Sequence, residues 1–105
     1  MVKASVLYPA KAGSKFDEEY YFNKHMPMTG RLLGPALQSV SVEKGISSAM
    51  PGQPAAFVVT CHLVFESTDA FYAAFGPHAA EIQGDIPKYT DIEPVIQIGE
   101  IKVAR

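Results

Sequence analysis

Three histidines, His25, His62 and His78, are the side chains of this 105-residue chain that titrate near neutrality, so each is a candidate proton carrier. The first lies in a stripe with Asp17 and Tyr21, at i, i+4 and i+8. Four-residue steps on a 3.6-residue helix stay on one face, drifting about 40° per step. A histidine there can act as general base or acid, and a phenol beside it can orient or protonate a substrate oxygen. The structural alternative is a helix-end histidine that hydrogen-bonds locally beside a core tyrosine. His78 and Asp85 stand seven apart and align if one helix spans them, which would let the carboxylate fix the imidazole tautomer. Against that, His78 follows Pro77 and fits a plain helix start. His62 lies on a strand whose alternation turns it toward the face away from the helices, where a satisfied interface histidine is the simpler reading.

Other chemistries find no footing. The three histidines form no HxH or HxxxH pair and their elements do not converge, so no metal is expected. Cys61 is the only cysteine, which excludes an internal disulfide and a cysteine zinc cluster, and its alternation places it in the core. There is no GxGxxG, P-loop or GxSxG pattern.

The elements that position these groups follow from periodicity. Residues 2–8 alternate, with Val2, Ala4, Val6 and Tyr8 on one face, and predict a first strand ended by Pro9. Ser14 and Asp17 suggest a capping-box-like start to a helix over 15–25. Pro27 predicts a break at His25–Met26, then a short helical piece through Leu33, ended by Gly34–Pro35. Strands are expected over 37–46 and 56–65, separated by a loop from Ser47 to Ala55. Phe57, Val59, Cys61, Leu63 and Phe65 give the latter strand one apolar face. Ala56, Val58, Thr60, His62 and Val64 give it a second, so both faces are expected to be buried. Ser67 or Thr68 caps a second helix carrying Phe71, Ala74 and Phe75. Gly76–Pro77 interrupts it, and it resumes to Gln83 with Gly84 as its C-terminal cap. A fourth strand spans about 93–101. The order β-α-β-β-α-β predicts a ferredoxin-like α+β fold with a four-stranded antiparallel sheet in a single domain, 1–105. Both helices then cover one sheet face, and a second copy packed sheet to sheet would cover the other, which predicts a homodimer.

Composition agrees with this frame. The chain is 48% hydrophobic and 19% charged, with a net charge of −2. That is more apolar and less charged than disorder allows, and too little positive charge for nucleic acid or an anionic membrane. The third strand also lacks the basic and glycine positions of an RNA-recognition signature. No apolar run approaches the roughly 20 residues of a membrane span. The N-terminus has no signal-peptide pattern, so a cytoplasmic location is expected.

Three blocks resemble one known family. Phe16-Asp17-Glu18-Glu19-Tyr20-Tyr21-Phe22-Asn23-Lys24-His25-Met26-Pro27-Met28 is similar to the FDxxYYxxxHxPL block of the EthD family, with Met28 in place of the usual leucine. Phe75-Gly76-Pro77-His78-Ala79-Ala80-Glu81-Ile82 with Asp85–Thr90, and Pro94–Ile98, match in order. The resemblance implies a dimeric α+β barrel with a pocket between each sheet and its own helices. It makes Tyr20 or Tyr21 and His25 pocket residues, with His78 and Asp85 as further candidates. The wider barrel superfamily includes cofactor-free monooxygenases, lactone isomerases and haem-degrading enzymes, and family relatives in aromatic polyketide pathways are associated with oxidation, dehydration or decarboxylation.

Together these features lead to an oxidoreductase-like enzyme with no tightly bound cofactor, acting on a small apolar, aromatic or cyclic molecule. His25 moves a proton and Tyr21 steers a substrate oxygen. Tyr20, His78 and Asp85 join the pocket, and Phe16, Phe57, Phe71 and Phe75 wall it. The competing reading is a noncatalytic protein that holds an apolar metabolite for a partner enzyme. A haem-handling role, with His25 or His78 on the iron, is the third.

Overall fold

Strict alternation produces four strands, which the computed structural model, describing residues 1–105, shows as β1 (Val2–Pro9), β2 (Ser39–Lys44), β3 (Phe57–Phe65) and β4 (Val95–Glu100). They form one sheet in the order β2-β3-β1-β4, with every neighbouring pair antiparallel. Between β1 and β2 run α1 (Glu18–Tyr20), a π-turn (Tyr21–His25), α2 (Met26–Leu33) and a 3₁₀ turn (Gly34–Ala36). Between β3 and β4 run α3 (Thr68–Phe75), α4 (Ala79–Gly84) and two 3₁₀ turns, Gly76–His78 and Ile86–Lys88. This is the expected β-α-β-β-α-β ferredoxin-like arrangement.

The register stacks inward-facing residues in pairs: Val2 opposite Phe65, Ala4 opposite Leu63, and Tyr8 opposite Val59. All six are buried, and with Cys61 they form the floor on which the helices sit. The core has two parts. Val2, Ala4, Leu33, Cys61, Leu63, Phe65, Phe71 and Ile82 make an aliphatic and phenylalanine half. Tyr8, Tyr21, Val59, Tyr89 and Ile92 make a tyrosine-rich half. Phe65 is fully buried in the first, edge-on to Phe71. Phe65→Ala therefore costs about 3–5 kcal/mol of stability. Urea melts should show this as a lower midpoint with an unchanged slope.

Asp85 rather than the expected Gly84 is the C-cap of α4, and the structure departs from the expected elements at three further places. The first helix starts at Glu18, not near residue 15, because Asp17 rather than Ser14 is its N-cap: the Asp17 carboxylate accepts from the Tyr20 N–H at 3.1 Å. The expected break at His25–Met26 is absent. One turn widens instead, with the Met26 N–H bonding the Tyr21 carbonyl five residues back. The helix then carries on through Pro27 near the start of α2, and Gly34 ends it at φ 66°, a conformation suited to glycine. The third departure is the outer face of β3, which is only half-buried in a single chain. A polar row, Ser41, His62, Ser5 and Gln97, crosses that face of all four strands. His62 lies there as its alternation implies, with Nδ1 2.9 Å from the Ser5 hydroxyl and Nε2 3.4 Å from Glu43. No helix is long and apolar enough to cross a membrane.

Candidate active site

The π-turn decides which side chains meet. In an α-helix, residues five apart stand about 140° apart around the axis, but i→i+5 closure sets them nearly above one another. Tyr20 and His25 are such a pair. Both reach the same carboxylate: the Tyr20 hydroxyl donates to Asp85 Oδ1 at 2.8 Å, and His25 Nδ1 lies 2.9 Å from Oδ2. Asp85 is delivered by the Ile86–Lys88 turn, which is pinned to the start of the first helix. The Asp17 N–H bonds the Tyr89 carbonyl at 2.7 Å, the Lys15 N–H bonds Asp91, and the Thr90 hydroxyl bonds the Lys15 carbonyl.

His25 and Asp85 are both buried. Burial disfavours the imidazolium and pushes the His25 pKa below 6.5, against the pull of Asp85. Burial also works to raise the Asp85 pKa, but hydrogen bonds from His25 and Tyr20, with the positive charge nearby, outweigh it and hold the pKa below 3.8. The pair at neutral pH is thus a carboxylate accepting from a neutral imidazole, and that leaves Nε2 unprotonated as a base. Tyr89 stands 3.4 Å from Nε2, and its hydroxyl is 2.5 Å from that of Tyr8. Protons run one way through this chain: Tyr8 to Tyr89, Tyr89 toward Nε2, Nδ1–H to Asp85. Burial pushes the Tyr8 phenol up to about 12, and pushes the Tyr21 and Tyr89 phenols up as well, so all three are neutral donors. The Tyr20 phenol is raised by its bond to the Asp85 carboxylate.

Beside the imidazole lies a cavity of about 50 Å³ at the seam of the two core halves. Its wall includes Tyr8, Tyr21, Met26, Phe75, Ile82 and Ile86, with His25 and Thr29 among the few polar members. The exposed Gln83 and Ile96 mark its mouth. A larger open groove, about 800 Å³, lies between residues 10–18 and 48–58, but no histidine or cysteine borders it.

The residues singled out in the sequence fall into three groups. His25, Tyr21, Tyr20 and Asp85 come together, but of these only His25 and Tyr21 border the cavity, where Phe75 joins them; Tyr20 and Asp85 meet the imidazole from outside its lining. Tyr21 stacks on the His25 ring at 5.5 Å and 18°. Phe16 does not wall the cavity as expected; it braces the tyrosines from behind, edge-on to Tyr8, Tyr21 and Tyr89. Phe57 and Phe71 stand apart: Phe71 packs between Phe65 and Phe75 in the core, and neither lines the cavity. His78 sits half-buried in its 3₁₀ turn. The expected His78–Asp85 pair does not form, because α4 ends at Gly84 and the next turn aims the carboxylate at His25. Tyr8, Tyr89 and Thr29 were missed. Thr29 could have been found by extending the stripe Tyr21, His25 another four residues. No three His, Cys, Asp or Glu side chains gather as a metal would require, and burial pushes the Cys61 thiol up to about 11, which marks it as a core group.

No curated protein matches the sequence. Among solved structures, an EthD-like protein from Ralstonia eutropha JMP134 is 47% identical, with a TM-score of 0.93 over 99% of this chain and 94% of that one. An ethyl tert-butyl ether d (EthD) family protein from Bacillus halodurans C-125 is 23% identical, with a TM-score of 0.69 over 96% and 98%. A protein of Arabidopsis thaliana, 14% identical, shares the fold at a TM-score of 0.70 over 100% and 99%. The EthD domain model matches residues 13–93, the stretch that holds the π-turn, His25, Asp85 and Tyr89. The chain belongs to the EthD family.

Proposed function

We propose that this protein is a homodimeric, oxidoreductase-like enzyme that needs no tightly bound cofactor and removes a proton from an apolar, ring-containing substrate through His25. One observation carries the reading: a buried imidazole, held through Nδ1 by a buried carboxylate, borders an apolar cavity, and burial favours its neutral form with Nε2 as the base. Asp85 fixes the tautomer and stabilises the imidazolium as it forms. Tyr21 holds the ring plane by stacking and acts as a positioning residue. The cavity wall excludes water and supports proton transfer from carbon. The carbanion so formed takes up dioxygen to give a hydroperoxide, and loss of water leaves a carbonyl. In sum, R₂CH₂ and O₂ become R₂C=O and H₂O. Reprotonation at another carbon gives an isomer instead. Product formation under air, compared with strict anaerobiosis, separates the two routes.

The apolar lining of the cavity, in which His25, Thr29 and Gln83 are the polar members, also suits a second reading, a binding protein that holds an apolar metabolite for a partner enzyme. At about 50 Å³ against the roughly 300–1,000 Å³ of common ligand pockets, the cavity must widen for either occupant. Ligand binding with no product in either atmosphere supports that role and removes the enzymatic one.

The homodimer is supported by the outer sheet face, which no element of the same chain covers. Leu7 and Val95 pair across it, and Val58 and Val64 flank the polar row. Leu7→Glu, which sets a charge in the middle of that face, should convert the dimer to monomer in light scattering at micromolar concentration. A wild-type monomer at that concentration overturns the dimer.

A further inference from the structure

We propose that Thr29 recognises the substrate, and that what it recognises is a carbonyl oxygen next to the carbon that loses its proton to His25. Thr29 is 4% exposed, and its hydroxyl is the buried side-chain polar atom with no hydrogen-bond partner in the protein. Threonines inside helices commonly bond back to the carbonyl four residues earlier, here that of His25, and this one does not. It lines the same cavity as His25, one helical turn further along the buried stripe. The other hydroxyls there are engaged: that of Tyr8 with Tyr89, and that of Tyr21 beside the Cys61 thiol. The hydrogen-bonding capacity still open in the cavity therefore sits at two points, the unpartnered O–H of Thr29 and the Nε2 lone pair of His25, which has only a long 3.4 Å contact from the Tyr89 hydroxyl.

Their spacing selects the ligand. Residues four apart on a helix have Cβ atoms roughly 5–6 Å apart, so one small group can reach both. A neutral imidazole removes a proton from carbon only where the carbanion is stabilised, and an adjacent carbonyl does this by becoming an enolate oxygen. That oxygen gains charge as the proton leaves, so a fixed donor such as the Thr29 hydroxyl binds the transition state more tightly than the ketone. The step balances: the C–H bond breaks, its electron pair moves to oxygen as enolate, and Nε2 takes the proton. Return of a solvent proton to carbon restores the ketone. The substrate class is thus an apolar, enolisable carbonyl compound.

The inference rests on His25 as base, and its test separates the two. 2-Tetralone serves as ketone probe and tetralin as its hydrocarbon counterpart. Binding is followed by NMR titration, and exchange of the ketone's α-hydrogens is followed in D₂O. Wild type should bind 2-tetralone over tetralin and accelerate the exchange. Thr29→Val should weaken 2-tetralone binding and slow exchange by about tenfold or more, leave tetralin binding unchanged, and raise Tm, because it removes an unsatisfied buried hydroxyl at constant shape. Thr29→Ser should restore ketone binding and exchange. Thr29→Val that exchanges and binds 2-tetralone like wild type, or that melts lower, makes the hydroxyl structural and overturns this inference while leaving His25 in place. Wild type that neither prefers the ketone nor exchanges its hydrogens overturns both.

Discussion

His25→Ala lowers turnover by roughly 10²-fold or more, the usual contribution of a positioned general base. The expected loss falls on kcat rather than on ligand affinity, because the cavity walls that hold an apolar molecule come from other residues, Tyr8, Met26, Phe75 and Ile82 among them. Alanine also removes a ring that stacks on Tyr21 and leaves the buried Asp85 carboxylate with the Tyr20 hydroxyl and the exposed Lys88 ammonium as partners. His25→Gln controls for that. Its amide can still donate to Asp85, but it is no base at any working pH, so it should fold, bind and fail to turn over. Steady-state rates alongside ligand titration of both variants decide the matter. Undiminished turnover in His25→Gln removes His25 from the mechanism, whereas wild type that binds ligand with no turnover at all moves the protein to the binding role.

Much of the fold was legible because it rests on local patterns. Period-two alternation placed all four strands to within two residues at either end, and the element order then implied the sheet. His25 and Tyr21 were visible as a helical stripe for the same reason. Asp85 was noticed but paired with His78, since helical periodicity was the only rule available to join them. The real pairing depends on where α4 stops and on hydrogen bonds between residues 15–17 and 89–91, which are distant in sequence. Tyr89 was hidden for that reason too. Thr29 was hidden by a wrong inference from Pro27: a proline lacking an N–H was read as a helix break, when the chain absorbed it behind a π-turn and kept Tyr21, His25, Thr29 and Leu33 on one buried face. The polar row on the outer sheet face required strand register, which alternation within single strands does not reveal.

Asp85→Asn tests how the imidazole is tuned. The amide oxygen can still accept from Nδ1–H, so His25 keeps its tautomer and position, but the charge that stabilises the imidazolium is gone. Turnover should fall by roughly 10²-fold or more at neutral pH. The pH–rate profile adds a sign. In wild type the His25 pKa lies below 6.5, so activity holds through neutrality and falls as acid protonates Nε2. Burial alone lowers that pKa further once the carboxylate's pull is removed, so the acid limb of Asp85→Asn should move to lower pH while its plateau drops. An acid limb that moves up instead shows that the carboxylate does not support the imidazolium. Stability follows the same linkage. Between the lowered folded pKa and 6.5 the unfolded chain binds the proton and the folded one does not, so His25 contributes stability above that window that is lost as pH falls through it. Asp85, held below 3.8, adds stability that is present above that value and lost in stronger acid. Urea midpoints against pH should therefore decline in two stages for wild type, and Asp85→Asn should retain the first and lose the second. A variant whose acid unfolding is identical to wild type separates Asp85 from the pH dependence of the fold and leaves only its effect on the base.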